Sequence, residues 1–536
     1  MKPKLDEVEL SREQSEALTD RIKTDRLTTR DRELLAKLVP VFFWLTLTLR
    51  ETKINLSRLK AKLFGHPSGN KPKPPPDDDD DSGGGASNGD SSPATSPQSG
   101  TPGNNVERRG HGRYSADVYT GAETVRCQHG TLAVGARCPH CGRGALYALN
   151  DAVTIRIDGN ALLSAVRYEQ ERFRCSACTE VFTAPLPGGV GTEKYSPRAR
   201  VCLALSRYFL GTPFYRLQQM QAMIGVPVAD ATQWDQVERV ADAVRPVFDH
   251  LKYLAAQSKL FYHDDTGVRV LSLIAENRSD APPKRVGMHT TGLVACDDQR
   301  TIVLYFCGRS HAGENLASVL ALREPNQPLP QVMSDALAAN QAGGLPEHIR
   351  CNCLSHALRQ FTDIEAYFPD ECRHVADILR RVYDHDAHTR NQPLDPDQRL
   401  HYHQRYSEPI MNELYRWLVG QFDERRVEPN SSLGKALAYL RTHWEKLTQF
   451  LRVPGAPLDS NVVERALKLM IRQRNNSLFF ASTHSAYVAA LLASLIATCA
   501  QAQVNVMEYL VSLVDNRSQV LAQPARWLPW NYTLAH

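Results

Sequence analysis

Residues 69–105, GNKPKPPPDDDDDSGGGASNGDSSPATSPQSGTPGNN, contain no Val, Ile, Leu, Met, Phe, Trp, Tyr or Cys. Such a stretch cannot join a packed core, because no apolar burial offsets the entropy lost on ordering it. It predicts a disordered linker over 67–113. The chain of 536 residues is thereby divided into a short N-terminal part and a long remainder. Outside the linker, apolar residues are plentiful enough for ordinary folded domains. The formal charge of +4 is too near balance to decide on a polyanionic partner, so local clustering must carry that question.

The N-terminal part, 1–66, reads as helical. Leu38, Phe42, Leu45, Leu49, Thr52, Leu56, Leu59 and Leu63 follow in alternating steps of four and three. That is a heptad seam with one polar break, the pattern that pairs helices into a coiled coil, and it points to a homo-oligomer. The alternative is an amphipathic helix packed on its own domain. MKPKLDEVELSREQ is no signal peptide, and LVPVFFWLTLTL is shorter than the ~20 residues a bilayer requires. The expected setting is the cytoplasm, with no membrane association. The 12 cysteines then read as metal ligands or buried thiols before disulfides.

After the basic stretch ERRGHGR come two C-x-x-C knuckles, Cys138/Cys141 in RCPHCGRG and Cys175/Cys178 in RCSACTEVF. Paired knuckles in a reducing compartment fit one structural Zn²⁺ held by four thiolates, a site with no open position for chemistry. Gly142 permits the tight turn after the first knuckle. Segments such as LYALNDAVTIRI read as strands, so 114–195 is expected to be a zinc ribbon. Cys127 and His129 are possible substitute ligands.

Residues 196–256 read as helices, the first ending at Gly211 and the second at Gly225. Helices joined by Gly-containing turns resemble a helix-turn-helix. In that reading Thr232, Gln233 and Gln236 face a DNA groove and Arg216 lies near the backbone; plain helical scaffolding is the alternative.

Beyond Lys259 the pattern turns to strands. KLFYHDDTGVRVLSLI reads as a strand, TTGLVACDDQRTIVLYFCGRS as two strands around a DDQ turn, and PQVMSDALAAN as a short strand ending at Asp335. A carboxylate beside a central sheet is costly unless it is paired or binds a cation. Asp264 and Asp335 therefore read as metal ligands, and an all-oxygen set favours a hard ion such as Mg²⁺. A third carboxylate would complete a two-metal site for phosphoryl transfer. Glu464, in PLDSNVVERALKLMIRQRNN, is the candidate. Its helix starts at Asp459 or Ser460 and carries Arg465, Lys468, Arg472 and Arg474. Lys468 and Arg472 share its face, and an i,i+4 pair with Lys468 is the bland account of Glu464. The interval between Asp335 and Glu464 is long enough to hold an inserted helical region.

Taken together, HDDTGVRVL, MSDALAAN, CNCLSHALRQF, PLDSNVVERALKLMIRQRNNSLFFAS, the CPHCG knuckle and KLFGHPSGNKP resemble the insertion sequence 66 family, the large DDE-type transposase subunit, over nearly the whole chain except the linker. The resemblance implies a multidomain α/β protein. An RNase H-like catalytic domain would span 257–485, with a helical insertion at about 356–452 and a C-terminal helical region over 486–536. It places the catalytic acids at Asp264, Asp335 and Glu464, holding two Mg²⁺ ions (or Mn²⁺). The family's usual Asp-Glu-Thr is Asp264-Asp265-Thr266 here, which leaves Asp265 a rival for the first position, and Gly267 stands where proline is common. Asn461 belongs to the segment before the glutamate, and His356 and Arg359 to a pattern after the second acid from which one arginine is missing. Arg359, Lys468, Arg472 and Arg474 would contact DNA, with His356, Asn461 and Asp265 supporting the site.

The activity implied is cleavage of double-stranded DNA at element inverted-repeat ends and strand transfer into target DNA, in the nucleoid of a bacterium and with small accessory proteins of the same element as possible partners. The competing readings are a catalytically inactive DNA-binding regulator derived from a transposase, and a nuclease or resolvase that cuts without joining. Cys351, Cys353 and His356 could be soft ligands, but a fourth is not evident, and a buried structural role is the simpler reading.

Overall fold

The computed structural model describes residues 12–39, a few positions between 41 and 52, scattered positions from 133 to 146, and 162–174, 181–188, 193–340 and 345–534. Most of the heptad seam, the linker, and Cys127, Cys138, Cys141, Cys175 and Cys178 lie outside the described residues. Residues flanking each knuckle are described. Arg137 bridges Ala145 in antiparallel fashion, and β1 (Arg172–Arg174) pairs antiparallel with β2 (Val181–Thr183). Near the N-terminus, helix α1 (Arg12–Lys23) is followed by helical residues 29–39. Arg21 Nη2 lies 2.8 Å from Asp31 Oδ1 across the turn between them.

From Leu162 onward the described chain belongs to one compact unit, and its first elements are helical. α2 (Pro197–Tyr208) begins at Ser196, whose side chain accepts from the Ala199 amide. α3 (Phe214–Met223) and α4 (Asp230–Ala256) follow. Gly211 (φ +77°) and Gly225 (φ +75°) make the turns between them, in the left-handed backbone region where a Cβ is penalised. α4 runs 27 residues and feeds straight into the sheet.

That sheet has five strands in the order β5-β4-β3-β6-β7. β3 (Leu260–Gly267), β4 (His289–Cys296) and β5 (Thr301–Gly308) form an antiparallel meander. β6 (Gln331–Ser334) and β7 (Ile349–Asn352) run parallel to β3. The segment LSLI, read from sequence as part of a strand, instead opens helix α5 (Leu271–Asn277), while Val270 before it bridges Phe480 in parallel. A short apolar run does not distinguish the two states by periodicity. Helix α6 (Ala312–Leu320) carries the chain from β5 toward β6.

After β7 come five helices: α7 (Leu354–Thr362), α8 (Pro369–Arg390), α9 (Pro396–Tyr406), α10 (Glu408–Asp423) and α11 (Ser432–Leu447). They leave and return at one point, because the Leu354 amide donates to the Leu458 carbonyl at 3.0 Å. α12 (Asn461–Ser477) then packs on β3 and β4, α13 (Thr483–Gln501) lies along β5, and α14 (Val506–Asp515) and α15 (Arg517–Ala522) pack against α4.

β5 is an edge strand, and its outward amides are satisfied by hydroxyls. Val303 N donates to Thr498 Oγ1 at 3.1 Å and Tyr305 N to Ser494 Oγ at 2.8 Å. Covering an edge this way removes its capacity to pair with another chain. Among the described residues α13 is the one helix long and apolar enough to cross a bilayer, and most of it is buried in this core.

Candidate active site

The strand registers bring two of the acids together. Tyr262 of β3 pairs in parallel with Met333 of β6. That pairing ends two residues before Asp264, β6 ends at Ser334, and Asp335 follows it close enough for its charge to act on Asp264. On the other side, Asp264 pairs with Gly292 of β4, which pairs with Tyr305 of β5. Cross-strand partners share a face, so Asp264, Gly292 and Tyr305 form a row. α12 covers that row. Tyr305 donates its hydroxyl to the Ala466 carbonyl at 2.6 Å, and Val463 and Leu467 of α12 press against Gly292.

Glu464 follows Val463 in the first turn of α12. Its Oε1 lies 3.6 Å from His356 Nε2 and its Oε2 lies 3.8 Å from Arg359 Nη2. Both separations exceed hydrogen-bond reach, and Oε1 is buried without a donor. The carboxylate faces α7 rather than forming the i,i+4 pair with Lys468. The N-terminal ends of α7 and α12 are tied together, since the Ser460 amide donates to Cys353 Sγ at 3.3 Å. The α12 N-cap is Ser460, without a side-chain bond. Asp459 bonds Asn461 instead, accepting from its amide at 3.1 Å and its Nδ2 at 2.8 Å.

Electrostatics joins these groups. Burial, and then the charge of Asp335, pushes the Asp264 carboxyl up to about 6, against a bond from the Asp265 amide and the attraction of His356. The His356 pKa is raised, first by the neighbouring Cys353 and also by Glu464, against burial. Asp335 accepts from the Leu337 amide at 3.1 Å and from Asn340 Nδ2. The donors are therefore two crowded carboxyls, one of them held against its own ionisation, and a third with an orphaned oxygen. That is a set of hard oxygens short of positive charge, and it fits divalent cations of the Mg²⁺ type.

Asp265, one residue on, projects to the opposite face. Its Oδ1 accepts from Thr291 Oγ1 at 2.6 Å and its Oδ2 from the Ala312 amide at 2.8 Å, at the start of α6. The two adjacent acids are separated by the sheet itself.

Several cations expected to face DNA are in other roles. Arg474 Nη1 donates to Thr266 Oγ1 at 2.8 Å and also to the Gly267 carbonyl, strapping α12 to the end of β3. Arg472 Nη2 donates to the Phe209 carbonyl at 2.9 Å while staying exposed. Lys468, Arg465 and Arg359 are exposed. The groove-facing reading of Gln233 and Gln236 is corrected. Gln233 is fully buried and donates to the Phe214 and Val228 carbonyls. Gln236 is 6% exposed and accepts from Arg200 Nε at 3.1 Å. That side of α4 faces the core, whereas Thr232 is half-buried and Arg216 is exposed beside the Tyr215 hydroxyl.

Cys351 and Cys353 are fully buried, and burial pushes the Cys351 thiol up to about 12, as suits an inert packing thiol. Cys353 and Asn340 are site-building residues that sequence reasoning left without these roles. Each acts through a local bond, and only their closeness to Asp335 and His356 in the chain hinted at it.

Residues 193–487 match the family model described as Transposase IS66 family. Among curated proteins, the chain is similar to two uncharacterized proteins of Sinorhizobium fredii (strain NBRC 101917 / NGR234). It is 26% identical to y4jD over 419 residues, covering 74% of this chain and 78% of that protein. It is 23% identical to y4hP over 430 residues, covering 74% of each. No solved structure matches the chain. With the family model covering more than half of its length, and both acid-bearing strands and α12 inside the matched span, the chain belongs to the IS66 family of transposases.

Proposed function

We propose that this protein cleaves DNA at element ends and joins the freed ends to target DNA, with Asp264, Asp335 and Glu464 as the metal-binding catalytic acids. The observation that supports the reading most is that the charge of Asp335, just past the end of β6, acts on Asp264 of the neighbouring strand β3, while α12, which carries Glu464, packs over the Asp264–Gly292–Tyr305 row. A sheet of three antiparallel strands followed by two parallel ones supports an RNase H-like catalytic domain. Bound at these oxygens, two Mg²⁺ ions (or Mn²⁺) would supply an acidified water and charge neutralisation at the leaving 3′ oxygen.

The chain's own residues do the rest. The three carboxylates would hold those ions, and only through them would a phosphodiester be positioned. An in-line attack by water breaks the bond to the 3′ oxygen, and the freed 3′-OH then attacks a target phosphodiester, exchanging one P–O bond for another. Asp265, committed to the start of α6, holds the strand rather than the substrate. His356 and Arg359 lie near Glu464 but beyond hydrogen-bond reach, and only partly offset its charge.

Exposed Lys468 and Arg472 lead along α12 from Glu464 toward Asn476, about 18 Å at 1.5 Å per residue. There a groove of about 710 Å³ opens, lined by Tyr208, Phe214, Tyr215, Trp234, Phe479 and Phe480. Cations followed by the exposed rings of Tyr215 and Phe479 suit a DNA backbone and any unpaired bases it presents. The four knuckle cysteines, Cys138, Cys141, Cys175 and Cys178, are proposed to hold one Zn²⁺, and the N-terminal heptads to pair copies of the chain in the bacterial cytoplasm.

The test is a cleavage and strand-transfer assay with purified protein, matched element ends and Mg²⁺. Glu464→Gln is expected to bind the ends and leave them uncut. Wild-type joining by that variant would remove Glu464 from the mechanism. Tight end binding by wild-type protein that neither cuts nor joins would make the protein a DNA-binding regulator instead.

A further inference from the structure

We propose that Asp265, His289 and His311 form a second metal centre, on the sheet face opposite the catalytic acids, that takes a borderline first-row divalent ion such as Zn²⁺ rather than Mg²⁺. One ligand atom from each of these residues lies within 4.8 Å of the other two. His311 Nδ1 is 3.1 Å from Asp265 Oδ2, close to the roughly 3.3 Å between neighbouring ligands on a tetrahedral zinc with ~2.0 Å bonds. The His289 and His311 rings stand with centroids 4.0 Å apart. A hydrogen bond from His311 to Asp265 accounts for one imidazole. It leaves unexplained why a second, half-buried imidazole is held against the same pair.

The surroundings are those of an oriented ligand set. Asp265 is aimed by the Thr291 hydroxyl and the Ala312 amide, and Thr291 is itself fixed by Asn315 Nδ2 at 2.8 Å. The His311 amide donates to Glu314 Oε2 at 3.0 Å, which sets the turn that carries the ring. Partners of this kind behind metal ligands hold ring and carboxylate geometry. Space beside the second ring depends on a missing side chain, since a Cβ on Gly287 would sit 2.8 Å from His289 Nε2. Two imidazoles and one carboxylate are a borderline donor set, preferred by Zn²⁺, Co²⁺ or Ni²⁺ over the hard ions that suit oxygen-only sites.

The three residues come from β3, the first position of β4 and the N-cap of α6. An ion there clasps those elements together directly behind Asp264. Its role is positioning: it steadies the strand that carries the catalytic aspartate and touches no substrate.

The test uses the full-length protein, stripped of metal and titrated with Co²⁺ in millimolar Mg²⁺, which fills the oxygen site. A tetrathiolate site reports through intense sulfur-to-cobalt charge transfer, and a nitrogen–oxygen site only through weak visible d–d bands. The expected result is one equivalent with d–d bands alone, in addition to any thiolate equivalent. His289→Ala and His311→Ala, read separately and checked for a cooperative melt, should each lose that equivalent and keep the thiolate signal. Added Zn²⁺ should raise the melting temperature of wild type more than that of either variant. Wild-type protein that binds no Co²⁺ outside the thiolate site would overturn the proposal. So would a folded variant that retains the wild-type number of equivalents.

Discussion

Gly292 stands directly across the sheet from Asp264, and the side chain it lacks is what lets α12 descend onto the strands. A Cβ there would lie 2.9 Å from Leu467 Cδ2 and 3.2 Å from Val463 Cγ2, the residues that bracket Glu464 on its helix. Gly292→Ala should lift the N-terminal half of α12 by a fraction of an ångström. Misplacement of a catalytic group on that scale costs up to about 10²-fold in rate. A strand-transfer assay alongside thermal melts should therefore show activity falling much further than stability. Equal loss of both would make Gly292 a packing residue only.

Asp264 makes the metal-free protein less stable above mildly acidic pH. Its carboxyl titrates near 6 in the fold, against 3.8 when unperturbed. Between those values the folded state holds the extra proton, so stability falls as pH rises through that window. Asp264→Asn removes this cost. In EDTA the variant should be more stable than wild type at pH 7, by up to about 3 kcal/mol, and the advantage should vanish near pH 4. Denaturant melts across pH check this, and a constant offset at every pH would contradict it.

Mg²⁺ held as proposed at Asp264 would compete with the same proton. Apparent Mg²⁺ affinity should weaken as pH drops below about 6, because the ion requires the carboxylate. Calorimetry in buffers of different ionisation heat should detect proton release near pH 6, and no release from Asp264→Asn.

The cations of α12 divide into two kinds. Lys468 is exposed, so Lys468→Ala should weaken binding to any DNA sequence and reduce the slope of log affinity against log salt by about 1. Arg474 is committed to Thr266 and Gly267. Arg474→Ala should lower the melting temperature and leave the salt slope of binding nearly unchanged. Filter binding across salt concentrations, paired with melts, separates them.

The edge of β5 depends on two hydroxyls. Thr498→Val and Ser494→Ala each strip a buried strand amide of its acceptor. An unsatisfied buried group costs about 1–3 kcal/mol, and urea midpoints should fall accordingly. Because the edge is then open for pairing, self-association on partial unfolding should also rise.

Much of this was legible in the chain before its fold was known. The glycines at 211 and 225 end helices because their backbone conformation demands it, and that demand is local. The hairpin of β4 and β5 announces itself through β-branched runs around a polar turn. What sequence could not resolve is which side of an element faces what. Asp264 and Asp265 are equivalent as letters, and only the helices laid on either face give one of them to the acid cluster and the other to α6. Gln233 and Gln236 look like surface residues by type, yet their side of α4 is covered by the core, where Gln233 Nε2 donates to backbone carbonyls and Gln236 accepts from Arg200. The bond between Cys353 and Ser460 joins segments far apart in sequence, and no spacing rule reaches that distance.

The hydrogen bond from Leu354 to Leu458 makes the five-helix excursion a detour that closes on itself. Glu464 is held by α12 packing over Gly292, not by the covalent route that leads to it. The region could thus be lengthened, shortened or exchanged between relatives while the third acid keeps its station. Among the described residues only α7, whose His356 and Arg359 face Glu464, ties the excursion to that acid, so the helices beyond it can change without moving Glu464. The helical region thus leaves and rejoins the sheet that carries Asp264 at a single backbone junction.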